Sequence, residues 1–274
     1  MIYKIYTPSL HVQQYVSHYH LLHFDLKGSA VDPVKLYYPR PEQCLTFDII
    51  GRVIGENTNT GVTQKRSFSY LSRQQTSAFN LRFESEYMML KIVFKPGSLY
   101  RLLGIPMNEL VENYLDAEQV IPADVSAVNE MLLEAADYGG IIQVIERYLT
   151  GKIKQVNERL RPRDRIYDLL ESARPGHSLE WLADQACLSA RQLQRKYIQY
   201  VGVSPVVFQR IQRFNYAMNL KEADMANSWL TIALQCGYSD LQHLIKDFKQ
   251  FSSVTPSALI QEESVSIHKK LHLA

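Results

Sequence analysis

The sequence predicts a two-part α+β chain. A strand-rich N-terminal domain, a small barrel or sandwich with helices attached, precedes an all-α domain with two helix-turn-helix units joined by a long linker helix. Three observations predict this. Short aromatic and β-branched runs, several of them alternating, fill roughly the first hundred residues. From Pro96 the apolar spacing turns helical. Near the C-terminus one helix-turn-helix pattern occurs twice.

The strand candidates are KLYYP (Lys35 to Pro39), CLTFDII (Cys44 to Ile50), SFSYL (Ser67 to Leu71), AFNLRF (Ala78 to Phe83) and MMLKIVF (Met88 to Phe94). Gly, Asn, Ser and Pro punctuate them, and one short helix is expected around Leu10 to Val16. Such a succession favours a barrel or sandwich over an α/β layout. Leu99, Leu102 and Leu103, then Leu110, Val111, Tyr114 and Leu115, follow helical spacing, with further helices expected at Val125 to Ala136 and Ile141 to about Ile153. The polar segment Lys154 to Arg163 is the expected boundary, giving an N-terminal sensing or dimerising domain over 1–155 and a helical domain over 160–262. The helical domain opens with Ile166, Tyr167, Leu169 and Leu170, stopped by Pro175-Gly176, and Ser178 is the expected N-cap of the next helix.

The first copy of the repeat reads LADQACLSARQLQRKYIQYVGVSP, Leu182 to Pro205, and the second IALQCGYSDLQHLIKDFKQFSSVTP, Ile232 to Pro256. In copy one Leu179, Leu182, Ala183 and Ala186 form an apolar stripe, the turn falls at Cys187-Leu188, and Ser189 caps the next helix with Gln192 at capping-box spacing. Leu193 and Tyr197 face the core, which leaves Arg191, Gln194 and Arg195 outside, near the helix start. Those are the positions that enter a major groove, where Arg reads guanine and Gln reads adenine. In copy two Ser239 is the expected cap, Leu244 and Phe248 face inward, and Leu241, Gln242, His243 and Lys246 are left near the helix start. Asp247 is expected to point sideways, away from phosphate. Between the copies, Ser204-Pro205 starts a helix running to about Lys221 with Val207, Phe208, Ile211, Phe214 and Met218 on one face.

Charge supports a polyanion partner for the second part only. From residue 151 onward there are 17 Lys+Arg against 12 Asp+Glu; before it there are 13 against 16. Three unevenly spaced cysteines, Cys44, Cys187 and Cys236, form neither a disulfide framework nor a zinc spacing, and each is expected as a small buried hydrophobe. With neither a long apolar run nor a signal-peptide layout, a cytoplasmic protein is expected, with no membrane partner. His18, His20 and His23 do not share one strand face, so tyrosine-flanked edge histidines are favoured over a metal site. No phosphate loop, nucleophile elbow or paired-carboxylate constellation stands out, so no cofactor is expected and the chain is read as a non-enzyme.

On these residues the segment from about Asp164 to Glu262 resembles the C-terminal domain of AraC/XylS-type transcription regulators. The resemblance rests on the LADQ–LS–LQRKY block, the GVSP junction, Arg213 and Ala217 in the linker, IALQCGYSD, and the DFK–VTP tail. It implies two recognition helices in successive major grooves, with Arg191, Gln194 and Arg195 reading one and Leu241, Gln242, His243 and Lys246 the other. Departures are Cys187 where Gly is frequent, Leu244 for Phe, Asp247 for a small residue, and Ser252-Ser253 for Phe-Gly. The N-terminal RPEQCLTFDI and VFKPGSLYRLLGIP are similar to an uncharacterised sensory-type domain often joined to this one. The expected partners are double-stranded DNA, a small-molecule effector of unidentified chemistry, a second copy of the chain and RNA polymerase. The alternatives are an enzyme with a DNA-binding tail, which would need a titratable cluster in the first 150 residues, and a regulator controlled by protein contact.

Overall fold

The computed structural model of the protein describes residues 2–29, 31–110, 114–157 and 179–265. Among the described residues ten strands form two antiparallel sheets. The larger runs in the order β1 (Ile2–Tyr6), β2 (Val16–Asp25), β9 (Glu86–Phe94), β4 (Gln43–Ile50), β7 (Ser69–Ser72), β10 (Leu115–Asp116). The smaller runs β3 (Val34–Tyr37), β8 (Phe79–Phe83), β5 (Val53–Asn57), β6 (Thr63–Lys65). Burial explains the sequence patterns. In β8 Phe79, Leu81 and Phe83 face inward while Asn80 and Arg82 face water, as in a sheet with one wet face. In β4 the first seven residues are all buried, because the larger sheet is covered on both sides. One side meets the smaller sheet through Leu22, Phe24, Tyr70 and Tyr87. The other carries Tyr19, Leu21, Phe47 and Leu90 against the helices.

Those helices are α1 (Ser98–Leu103), α2 (Ala117–Val120), α3 (Pro122–Leu133) and α4 (Tyr138–Asn157). Two expectations fail here. Residues 10–15 form turns rather than a helix, with Val12 N and Gln13 N both donating to Ser9 O, and β2 begins at Val16. The apolar spacing of Leu110, Tyr114 and Leu115 is not helical either. Leu115 and Asp116 pair with Leu71 and Tyr70, so sheet pairing overrides the local period. Val111, the helix expected around Ile166 to Leu170, Pro175-Gly176 and Ser178 lie outside the described residues, as does the boundary segment after residue 157.

The C-terminal unit is helical throughout its described span: α5 (Leu179–Ala186), α6 (Ala190–Val201), α7 (Pro205–Ala223), α8 (Trp229–Gln235), α9 (Leu241–Ser252) and α10 (Pro256–Val265). Among the described residues no helix is long and apolar enough to cross a membrane. Helices α5 and α6 close one small core around Leu182, Leu193, Tyr197 and Phe208. Helices α7, α8 and α9 close a larger one around Phe214, Ile232, Leu244 and Phe248. The linker α7 therefore contributes only its first turns to the first core and most of its length to the second.

Candidate nucleic-acid interface

Helix α6 forms as its sequence predicts. Ser189 Oγ accepts from Gln192 N at 3.3 Å and Gln192 Oε1 accepts from Ser189 N at 2.9 Å, closing the capping box. Leu193, Tyr197, Tyr200 and Val201 are buried, and Gly202 at φ 94° ends the helix. Arg191, Gln194 and Arg195 are all exposed, and their spacing puts them on one face of the first turns. Cys187, in the preceding turn, is exposed and at φ 53°, so it is not the buried hydrophobe expected. It occupies a left-handed backbone position, where glycine serves best. Cys44 and Cys236 are buried as expected.

The second unit keeps the scaffold and changes the details. Its cap is Asp240 rather than Ser239: Asp240 Oδ1 accepts from His243 N at 2.7 Å, and Ser239 Oγ turns to Asp240 Oδ2 and the His243 ring. The helix starts one residue later than expected because a carboxylate is the stronger acceptor at a positive helix end. Gln242 consequently has no box to close and is exposed, as is Lys246. His243 is half-buried, its ring edge-on to Tyr238 at 5.4 Å. Leu241 is partly buried against the second core, which reduces the apolar surface it offers to a base.

Asp247 departs most from expectation. It points inward and is fully buried, 0% exposed. Arg210 of the linker donates to its Oδ1 from Nη2 at 2.6 Å and Nε at 3.1 Å, and Arg213 Nη2 stands 3.5 Å from its Oδ2. The residue that looked like a repulsive surface charge instead ties the recognition helix of the second unit to the linker. Only the pairing of α9 with α7 brings these residues together. The sequence held one signal, an Arg210–Arg213 pair in a helix otherwise short of charge on that side.

Both units are seated on the N-terminal sheets. Gln43 Nε2 donates to Tyr200 O at 3.1 Å, Arg73 Nη1 donates to Gly202 O at 2.8 Å, and Tyr100 stacks on Tyr200 at 4.5 Å. Further on, Asn215 Nδ2 of the linker donates to Pro39 O at 2.9 Å, and Tyr38 meets Phe214 edge-on. Ser253, which ends α9 at φ 65°, bonds Thr58 Oγ1 at 2.8 Å and donates to Asn59 Oδ1 at 3.1 Å. The segment 106–109 runs beside α6, with Met107 N donating to Gln199 O at 2.8 Å. Pro106, Asn108 and Glu109 form one wall of a surface groove whose other wall holds Arg191, Gln194 and Arg195.

The histidines of β2 are bonded to neighbouring side chains. His20 is buried, its Nε2 2.7 Å from His18 Nε2 and its Nδ1 2.8 Å from the Tyr3 hydroxyl, and burial pulls its pKa down to about 3. His23 meets the Tyr138 hydroxyl at 2.8 Å.

Residues 182–262 match the family described as a helix-turn-helix domain, and residues 4–116 match a domain of unknown function, DUF6597. The C-terminal unit is a helix-turn-helix domain of the AraC type. Among curated proteins the chain is similar to the HTH-type transcriptional regulator ArgR of Pseudomonas aeruginosa, at 28% identity over 169 residues, covering 56% of this chain. That match spans half the length of the relative, 50%. Among solved structures the chain is similar to ToxT from Vibrio cholerae O395, with TM-score 0.44, 14% identity, and coverage of 89% of this chain and 96% of that one. A second ToxT structure from Vibrio cholerae gives TM-score 0.46 at 13% identity, covering 89% and 97%.

Proposed function

We propose that the protein is a sequence-specific, DNA-binding transcription regulator whose two recognition helices, α6 and α9, enter successive major grooves. The observation that carries this is the face of α6. Arg191, Gln194 and Arg195 stand exposed together while Leu193 and Tyr197 anchor the same turns in the core. Arg to guanine and Gln to adenine are the pairings such side chains make. Gln242, His243 and Lys246, with Leu241 at the edge, form the corresponding set on α9. The linker of 19 residues rises about 28 Å at ~1.5 Å per residue, which suits heads placed about one turn of DNA apart.

The N-terminal unit is the modulator in this reading. A duplex approaching Arg191 and Arg195 meets Glu109 across the groove, so reseating of segment 106–109 is the step an effector or a second copy of the chain acts on. We assign the chain no reaction; RNA polymerase is the partner through which a bound regulator acts, in the cytoplasm.

Selection of bound duplexes from a random pool tests this, run side by side with the full chain and with Glu109→Gln. The expected result is a motif with two half-sites about one turn apart, bound several-fold more tightly by the variant. Recovery of random sequence by both proteins would overturn the reading.

A further inference from the structure

The inward face of α9 carries one stripe at helical spacing, Leu244, Asp247, Phe248 and Phe251, all of them buried. Leu244, Phe248 and Phe251 pack in the second core. Asp247 stands among them as a carboxylate with 0% exposure. An apolar side chain would serve that core as well, because replacing a buried ion pair by packed hydrophobic residues is often neutral or stabilising. A charge kept in such a place needs a use other than stability. Fixing register is the use best attested for buried ion pairs.

The partners of Asp247 show which register is fixed. Arg210 and Arg213 stand one turn apart on α7, and Asp247 and Gln250 stand one turn apart on α9. Arg210 donates to Asp247 Oδ1 from Nη2 at 2.6 Å and from Nε at 3.1 Å, and its Nη2 also donates to Gln250 Oε1. Arg213 Nη2 lies 3.5 Å from Asp247 Oδ2. The same guanidinium covers the ring of Tyr238, in the turn ahead of α9, at 4.1 Å from its centroid. The contacts thus run as a ladder through Arg213, Asp247, Arg210 and Gln250. Such a ladder fixes both how far α9 slides along the linker and how far it rolls about its own axis. Apolar burial is non-directional and holds neither so sharply, whereas charge-assisted hydrogen bonds are directional. At the matching position of α6 the first unit has Lys196, of opposite charge, whose ammonium lies over Tyr200 of the same helix at 5.8 Å. The ladder is therefore a feature that the shared scaffold does not require.

We propose that Asp247 is a positioning residue for DNA. Through Arg210 and Arg213 it locks the face of Gln242, His243 and Lys246 at one angle to the linker, and so sets the half-site spacing that the protein accepts. This rests on the two-head reading given above. Each base pair added between half-sites carries the second one about 3.4 Å along the duplex and about 34° around it. A head locked in roll does not follow a turn of that size. A head held by apolar contacts alone has the freedom to follow part of it.

The test measures binding of the full chain to duplexes carrying the selected half-sites at the selected spacing, at one base pair more and at one fewer. The parent should bind at least ten-fold more weakly at either altered spacing. Arg210→Met combined with Asp247→Leu replaces the centre of the ladder by apolar packing. This double variant should melt no lower than the parent, yet lose less than three-fold at the altered spacings. If it melts lower, Asp247→Asn decides, since it keeps the shape and one acceptor but not the charge. Its discrimination between spacings should fall between those of the parent and the double variant. Unchanged ten-fold discrimination in the deciding variant, or a loss of affinity equal on all three duplexes, is what a merely structural role predicts, and either would overturn the proposal. A parent that selects a single half-site would overturn the two-head reading and the positioning role with it. A parent with two half-sites whose variants keep its spacing would overturn the positioning role alone.

Discussion

In the first helix-turn-helix unit the charged side chains of the recognition helix point outward; in the second the acidic one, Asp247, points in. Arg191 and Arg195 are exposed, whereas Asp247 is buried beneath Arg210 and Arg213 of the linker. The two units also divide their left-handed positions in opposite ways. The first has Cys187 at the inner turn and Gly202 at the helix end; the second has Gly237 at the inner turn and Ser253 at the helix end. Ser253 has a reason to be there, since its hydroxyl reaches Thr58 and Asn59 on the N-terminal unit. Gly202 has one too: a Cβ there would come within 3.2 Å of Arg73. Nothing in the structure explains Cys187. The comparison teaches that one scaffold serves two ends. The first unit is built to present side chains and the second to be held on the linker.

The largest expected effect breaks the second unit. Asp247→Ala leaves two guanidiniums without their carboxylate, and loss of one partner of a buried pair costs about 3–5 kcal/mol. Both arginines reach solvent, so about 3 kcal/mol is expected in urea unfolding of the full chain. A loss below about 1 kcal/mol would place the pair with ordinary surface ion pairs.

Next comes the division of labour on DNA. Arg195→Ala should cost about 1–3 kcal/mol on the selected site and less on random DNA. Lys246→Ala should weaken both alike and lower the salt slope by about one. Binding assays at several salt concentrations separate the two. A sequence-dependent loss for Lys246→Ala and a uniform one for Arg195→Ala would reverse the assignment of the heads.

The smallest effect concerns the turns. A left-handed conformation costs an L-residue about 1–2 kcal/mol, part of which glycine returns as chain entropy. Cys187→Gly should therefore stabilise the chain by about 0.5–1 kcal/mol. Ser253→Gly gains the same relief but loses two exposed hydrogen bonds of about 0.5 kcal/mol each, so its net effect should lie within about 0.5 kcal/mol of zero. Equal stabilisation by both would mean that the Thr58 and Asn59 contacts contribute nothing.

Much of the helical part was legible because its signals are local. The Ser189–Gln192 box, the Ser204-Pro205 start and the buried face of Leu193 and Tyr197 follow from spacing alone. The second cap was misread by one residue because Ser239 and Asp240 are adjacent and both able to cap. The strands β4, β8 and β9 announced themselves by composition, whereas β10 did not, since a two-residue strand exists only through its partner β7. The titratable cluster sought in the first 150 residues escaped notice for the same reason. Lys35, Glu42, Asp48, Arg66 and Lys91 show no motif spacing, and only the packing of one sheet on the other gathers them.

By itself the sequence determined the two-part order, the duplicated helix-turn-helix scaffold and the exposed trio Arg191, Gln194 and Arg195. Periodicity and capping act within a few residues and are written in the chain. The tertiary structure decided that Asp247 is a tie rather than a surface charge. It set Glu109 opposite the exposed face of Arg191 and Arg195, and it left the guanidinium edge of Arg66 open inside the sheets. Each of those depends on which distant residue arrives beside it, and burial then turns an ordinary charge into one that must find a partner.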